Sequence, residues 1–171
     1  MGPEQRAARV RLLVLDVDGV LTDGRLYFGP QGEALKVFDV RDGHGVKMLL
    51  AHGVAVAILS ARSSAIVETR ARELGIPHVM QGQSDKERGF TELLLDTGLT
   101  AADCGYAGDD LPDLPVLRAV GFAATVADAC DEVKAVAHWI APRPGGCGAV
   151  RAIAEYVLRA KGIDFHAMVH R

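Results

Sequence analysis

Residues 10–15 form an apolar run broken only by Arg11 and halted by Asp16. A run without alternation fits a strand buried on both faces of a parallel sheet better than a half-exposed edge strand. Residues 54–59 repeat the pattern and stop at Ser60, and residues 104–107 give a shorter version that stops at Gly108-Asp109-Asp110. Helical spacing of the apolar positions predicts helices over about 43–52, 63–74, 86–96 and 111–118, with a final one over 147–161. Weaker strands are expected near 77–80 and 120–123. This alternation predicts an α/β fold, a doubly wound, Rossmann-like parallel sheet of order 3-2-1-4-5. In that order the strands ending at Asp16 and Asp109 are neighbours at the topological switch point, where open α/β sheets take their ligands.

Residues 25–38 break the alternation, with two short β-rich runs around Gly29-Pro30-Gln31-Gly32, and so predict a β-hairpin insertion. A lone hairpin is marginal in water, so its apolar side chains Leu26, Phe28, Leu35, Val37 and Phe38 need a surface to cover. The parent domain and another subunit serve equally well. The segment 162–171 has no clear period, and its Phe165, His166 and His170 point to no role.

At 171 residues and 49% hydrophobic content, a single domain over 1–171 is expected. A net charge of −3 with interleaved signs offers no basic stripe for nucleic acid and no polybasic cluster for a membrane surface. An aromatic content of 5% is too sparse for base-stacking platforms. A small-molecule substrate remains. The N-terminal stretch reads neither as a signal peptide nor as a membrane span, which leaves the cytoplasm as the expected compartment. Cys104, Cys130 and Cys147 are odd in number and lie in no metal-ligand spacing, so reduced, structural thiols are expected.

Asp16 and Asp18, just past a buried strand, need a positive partner, because burying an unpaired ion is strongly unfavourable. A hard divalent cation such as Mg²⁺ suits carboxylates facing each other across the switch point, as Asp16 and Asp109 are expected to do. Either acidic pair alone is equally well explained by capping, Asp16 and Asp18 on the following turn, Asp109 and Asp110 on the helix at Leu111. Together they favour a site. Ser84 and Glu87 fit a capping box, which puts Lys86 in the first turn of a helix, where a cation opposes the dipole unless an anion is held nearby. Ser60 ends the second strand, where it fits either a phosphate hydroxyl donor or a plain cap.

In order and spacing, Asp16-Val17-Asp18-Gly19-Val20-Leu21-Thr22-Asp23, Ser60, Lys86 and Gly108-Asp109-Asp110-Leu111-Pro112-Asp113 resemble the four motifs of the haloacid dehalogenase-type phosphatases. The stretches 38–45, 81–86 and 145–151 look like those of the 3-deoxy-D-manno-octulosonate 8-phosphate phosphatases, and the likeness spans roughly residues 11–162.

The resemblance implies that Asp16 is a nucleophile forming an aspartyl-phosphate, with Asp18 as acid and then base. It implies Mg²⁺ on Asp16, the backbone carbonyl of Asp18, and Asp109, with Ser60 and Lys86 on the phosphoryl group and Asp110 and Asp113 orienting waters and Lys86. It further implies a phosphorylated sugar acid as substrate, a place in lipopolysaccharide precursor synthesis, no separate cap domain, and a homotetramer whose hairpins help to cover neighbouring sites. Arg41 and Asp42 would then lie near the substrate, although Asp42 fits a helix N-cap as well. Where the family usually has Thr-Gly-Arg, this chain has Ser60-Ala61-Arg62. Arg62 could pair bidentately with a sugar carboxylate or stand as a surface arginine. Related phosphatases of nine-carbon, neuraminate-type 9-phosphates tend to carry an acidic residue there, which tilts the expectation to the eight-carbon acid. Two readings of other classes compete: a receiver-like phospho-switch, which lacks a partner like Asp18, and a catalytically silent assembly module.

Overall fold

A computed structural model describes residues 1–165 of the chain, so His166 and His170 lie outside the described residues. Helix α1 (Pro3–Ala7) precedes strand β1 (Leu12–Leu15), all four residues of which are buried. A loop over Val17–Leu21, kinked where Asp18 and Gly19 leave helical angles, leads to the hairpin strands β2 (Tyr27–Gly29) and β3 (Gly32–Leu35). There follow α2 (Val40–Ala51), β4 (Ala55–Leu59), α3 (Ala65–Leu74), β5 (His78–Met80), α4 (Lys86–Thr97), β6 (Cys104–Ala107), α5 (Leu114–Ala119), β7 (Phe122–Thr125), α6 (Asp131–Val136), β8 (Trp139–Ile140) and α7 (Ala149–Ala160).

The main sheet is six-stranded, ordered β5-β4-β1-β6-β7-β8, with every neighbouring pair parallel. The expected 3-2-1-4-5 order is therefore present, extended by a sixth strand, β8. That strand and α6 escape the sequence pattern because one is two residues long and the other barely a turn and a half. Helices α1, α2, α3 and α7 cover one face and α4, α5 and α6 the other. Helix α7 buries Val150, Ile153, Ala154, Val157 and Leu158, an apolar stripe at helical spacing. Each larger side chain of that stripe contributes roughly 1.5–3 kcal/mol. No helix among the described residues is long and apolar enough to cross a membrane.

The register fixes where chemistry can occur. Leu15 lies level with Ile58 of β4 and Ala107 of β6, so Asp16, Ser60 and Gly108-Asp109 emerge together at the carboxyl edge. The Asp16 amide donates to the Ala107 carbonyl at 3.0 Å, which carries the pairing one residue further.

The hairpin forms around Pro30-Gln31 as expected. Its apolar side chains do not settle on the parent domain. Phe28 is 64% exposed, Leu26, Leu35 and Val37 are also exposed, and Phe38 alone of the five packs against the core.

Two helix starts differ from expectation. The N-cap of α4 is Asp85, whose side chain accepts from the Arg88 amide, and not Ser84. The N-cap of α2 is Asp39, accepting from the Arg41 amide, so α2 begins a turn before Asp42.

Candidate active site

At the carboxyl edge of β1, β4 and β6 an open cleft of about 350 Å³ is lined by Asp16, Asp18, Ser60, Arg62, Lys86 and Asp109, among others. A larger, mostly apolar groove of about 590 Å³ beside Phe38 and Ile66 holds neither the carboxylate cluster nor a lysine, so the smaller cleft is the chemical one.

Lys86 stands at the first position of α4 and is only 4% exposed. Its ammonium donates to Asp113 Oδ1 at 2.5 Å and lies 2.8 Å from Asp16 Oδ1. Burial acts to lower its pKa, but the two carboxylates outweigh that and hold it above the ordinary lysine value. These anions offset the unfavourable position at a helix N-terminus, and a solvated lysine is ruled out by burial.

Asp113, expected to orient Lys86, is buried and fully engaged. Its Oδ1 also accepts from the Tyr106 hydroxyl at 2.6 Å, and its Oδ2 accepts from the Asp109 amide at 2.9 Å and the Asp110 amide at 3.2 Å. Tyr106 is a residue the apolar run concealed; the signal was a hydroxyl inside a buried strand, which must find a partner. Asp110 takes the capping role, its side chain accepting from the Leu111 amide at 2.8 Å at the cleft rim.

Close backbone approach builds the Asp18 loop. Gly19 has φ +94°, and a Cβ there would fall 2.1 Å from Asp109 Oδ2; a Cβ on Gly145 would fall 1.8 Å from the Gly19 carbonyl oxygen. The Thr22 hydroxyl accepts from the Gly19 and Gly24 amides and braces the turn. Gly19 lets the two acidic loops touch, and Gly145 lets the segment before α7 close onto the Asp18 loop.

Carboxylate oxygens of Asp16, Asp109 and Asp113 lie within 4.8 Å of one another. Three carboxylates face the one ammonium of Lys86, leaving about two negative charges uncompensated. Burial pushes Asp16 up to about 6, against the pull of Lys86, and burial together with Asp16 and Asp113 pushes Asp109 up to about 7. A doubly charged hard cation fits that deficit. Because Asp113 already accepts four hydrogen bonds, Asp16 and Asp109 are the carboxylates with capacity for it.

Since both folded pKa values exceed the ordinary carboxylate value near 4, these groups stabilise the cation-free fold at low pH, and that contribution is lost as pH rises through about 6–7. Between pH 5 and pH 8 the cation-free wild type is expected to lose more melting temperature than Asp109→Asn. MgCl₂ is expected to raise Tm more at pH 8 than at pH 5. Equal Mg²⁺ shifts at both pH values would contradict this placement of the cation.

Ser60 is buried at the end of β4 and lines the cleft, while the N-cap position of α3 belongs to Ser64, so Ser60 is not a cap. Arg62 reaches in from the rim, its Nε 3.8 Å from Asp18 Oδ2. Asp18 Oδ1 is held by Lys36 Nζ at 2.5 Å, a hairpin lysine the sequence pattern did not flag.

Arg41 and Asp42 are not in the cleft. Arg41 is paired to Asp39 at 2.6 Å and points toward the Cys147 carbonyl. Asp42 is 1% exposed and neither caps α2 nor faces substrate space; its carboxylate accepts from the Gly148 and Arg151 amides and ties α2 to the start of α7. Burial accordingly raises its pKa. The three cysteines are free.

Residues 60–153 match the haloacid dehalogenase-like hydrolase family. The chain is 46% identical over 157 residues to the 3-deoxy-D-manno-octulosonate 8-phosphate phosphatase KdsC of Yersinia pestis, covering 92% of this chain and 84% of that protein. Among solved structures, the 3-deoxy-D-manno-octulosonate 8-phosphate phosphatase of Moraxella catarrhalis, in complex with a magnesium ion, a phosphate ion and a KDO molecule, superposes with TM-score 0.93. It is 41% identical, over 97% of this chain and 95% of that one. The cobalt-bound deoxy-D-mannose-octulosonate 8-phosphate phosphatase of Haemophilus influenzae gives TM-score 0.90 at 41% identity, over 92% of each chain.

Proposed function

The chain belongs to the haloacid dehalogenase-like hydrolases, and as a phosphoric monoester hydrolase of that family we propose that it removes the phosphate of 3-deoxy-D-manno-octulosonate 8-phosphate. The observation that supports this most is one cleft gathering Asp16, Asp18, Ser60, Lys86 and Asp109, with an arginine, Arg62, at its rim.

In this reading an Asp16 carboxylate oxygen attacks phosphorus. As the Asp16 O–P bond forms, the P–O bond to the sugar breaks and Asp18 gives its proton to the departing oxygen. Asp18 then accepts a proton from water as the water oxygen bonds phosphorus, the Asp16 O–P bond breaks and inorganic phosphate leaves. Splitting one displacement into two lowers each barrier. Lys86 and the Ser60 hydroxyl hold phosphoryl oxygens, and Asp113 with Tyr106 keeps Lys86 aimed. Asp16, Asp109 and the Asp18 carbonyl are the groups that would hold Mg²⁺, which when bound would neutralise charge on the transferring phosphoryl group.

Arg62 favours the eight-carbon acid, because a guanidinium at the rim can pair with the sugar carboxylate. The neuraminate-type 9-phosphate is the competing substrate. Assayed side by side with Mg²⁺, the eight-carbon phosphate is expected to give the higher kcat/KM. Arg62→Ala is expected to raise its KM by roughly 10–100-fold, the loss of one hydrogen-bonded charge pair. A preference for the nine-carbon acid would overturn the substrate assignment.

We read the exposed apolar side of the hairpin as the surface on which a homotetramer assembles, so that a neighbour covers each cleft. Light scattering that gave a monomer at working concentration would sink that reading. The enzyme would act in the cytoplasm on precursors of lipopolysaccharide.

A further inference from the structure

The hairpin turns most of its apolar residues away from the domain, yet it sends two charged side chains back onto it, one to Asp18 and one to Ser64. Lys36, directly after β3, has a side chain 2% exposed, with its ammonium 2.5 Å from Asp18 Oδ1 and 3.0 Å from Glu33 Oε1. Glu33, within β3, uses its other oxygen to accept from the Ser64 hydroxyl at 2.5 Å. Ser64 is itself pinned, its amide donating to Gln81 Oε1 at 2.8 Å and its carbonyl accepting from Gln81 Nε2 at 3.2 Å. An unbroken polar relay thus runs from the edge of the main sheet through the hairpin to Asp18.

We propose that Lys36 is a positioning residue for Asp18, itself held in place by Glu33, so that the hairpin aims the acid/base carboxylate of its own chain. This rests on the hydrolase reading of the site. A carboxylate that first gives and then takes a proton must present one oxygen to the reacting centre in both half-reactions. With Oδ1 occupied by Lys36, Oδ2 is left on the side of Arg62 and the cleft. A lysine free in solvent would hold nothing, because its four-carbon stem carries too much rotamer freedom. Pinned between two carboxylates, that freedom is gone. The hydrogen bonds to Asp18 and Glu33 outweigh the effect of burial on Lys36 and raise its pKa, which favours the charged form that makes these contacts.

The test uses first-turnover release of the sugar acid from 3-deoxy-D-manno-octulosonate 8-phosphate and of the phenol from p-nitrophenyl phosphate, each with Mg²⁺, together with steady-state kcat and KM. A nitrophenolate leaves without a proton, whereas a sugar alkoxide needs one from Asp18. Lys36→Met is expected to slow sugar release at least about tenfold, to slow nitrophenol release much less, and to leave KM within about threefold. Lys36→Arg is expected to recover part of the loss, and Glu33→Gln to show the same pattern at smaller amplitude. These two variants carry the test should Lys36→Met fail to fold. Equal slowing of both leaving groups, or a raised KM with kcat intact, would overturn the proposal and make Lys36 a scaffold or substrate ligand. A wild type that turned over neither ester would instead overturn the hydrolase reading beneath it.

Discussion

Replacing Asp16 with Asn leaves a folded protein whose turnover falls by roughly 10³–10⁶-fold, the range expected when a covalent nucleophile is lost. The amide is close in shape to the carboxylate but has no anionic oxygen to offer phosphorus. Folding is not the casualty. Asp16 is buried with its pKa raised to about 6, so its charge is a burden on the cation-free fold, and Lys86 keeps Asp113 as a partner after the change. The variant is therefore expected to melt at or above the wild-type temperature without Mg²⁺ at pH 8, and to gain less from added Mg²⁺. Calorimetry alongside single-turnover assays checks both halves. Retention of more than trace activity would remove Asp16 from the centre of the mechanism.

Lys86→Met is expected to damage stability and catalysis together. The ammonium is the cation shared by Asp16 and Asp113, and its loss leaves buried carboxylates facing one another. Breaking one side of a buried ion pair typically costs about 3–5 kcal/mol. Protonating the orphaned carboxylates relieves that loss, so the melting deficit is expected to be larger at pH 8 than at pH 5. The same ammonium is the counter-charge for the phosphoryl group, and removing such a donor costs roughly 10²–10³-fold in kcat. Denaturant melts at the two pH values and steady-state rates measure these effects. An unchanged kcat/KM would show that the lysine serves the fold alone.

The strands that carry the site were legible because both faces of a parallel sheet are buried. β1, β4 and β6 read as unbroken apolar runs, and the polar residue ending each run is the one that reaches the cleft. The roles of those residues came from motif resemblance, since periodicity alone left a cap and a metal ligand equally open. Contacts distant along the chain stayed hidden. Lys36 lies 18 positions from Asp18, and Asp42 meets Gly148 across 106. No local pattern separates a lysine that folds back onto a loop carboxylate from one in solvent. Nor does one distinguish an aspartate that caps its own helix from one that fastens a second. The caps slipped for a related reason: Ser84 and Asp85 are adjacent residues with side chains suited to the same position, and backbone angles decide between them.

Covalent phosphorylation of Asp16 is the claim on which the rest depends, and Asp18→Asn offers the way to catch it, because the second half-reaction then lacks its base. The variant, mixed with Mg²⁺ and p-nitrophenyl phosphate, whose leaving group needs no proton from residue 18, is quenched in acid, digested and sequenced by mass spectrometry. The expected result is a phosphoryl group on the peptide bearing Asp16, at that residue. No phosphorylated peptide from a wild type and variant that both still release phosphate, or a phosphoryl group on Asp109 instead, would contradict it.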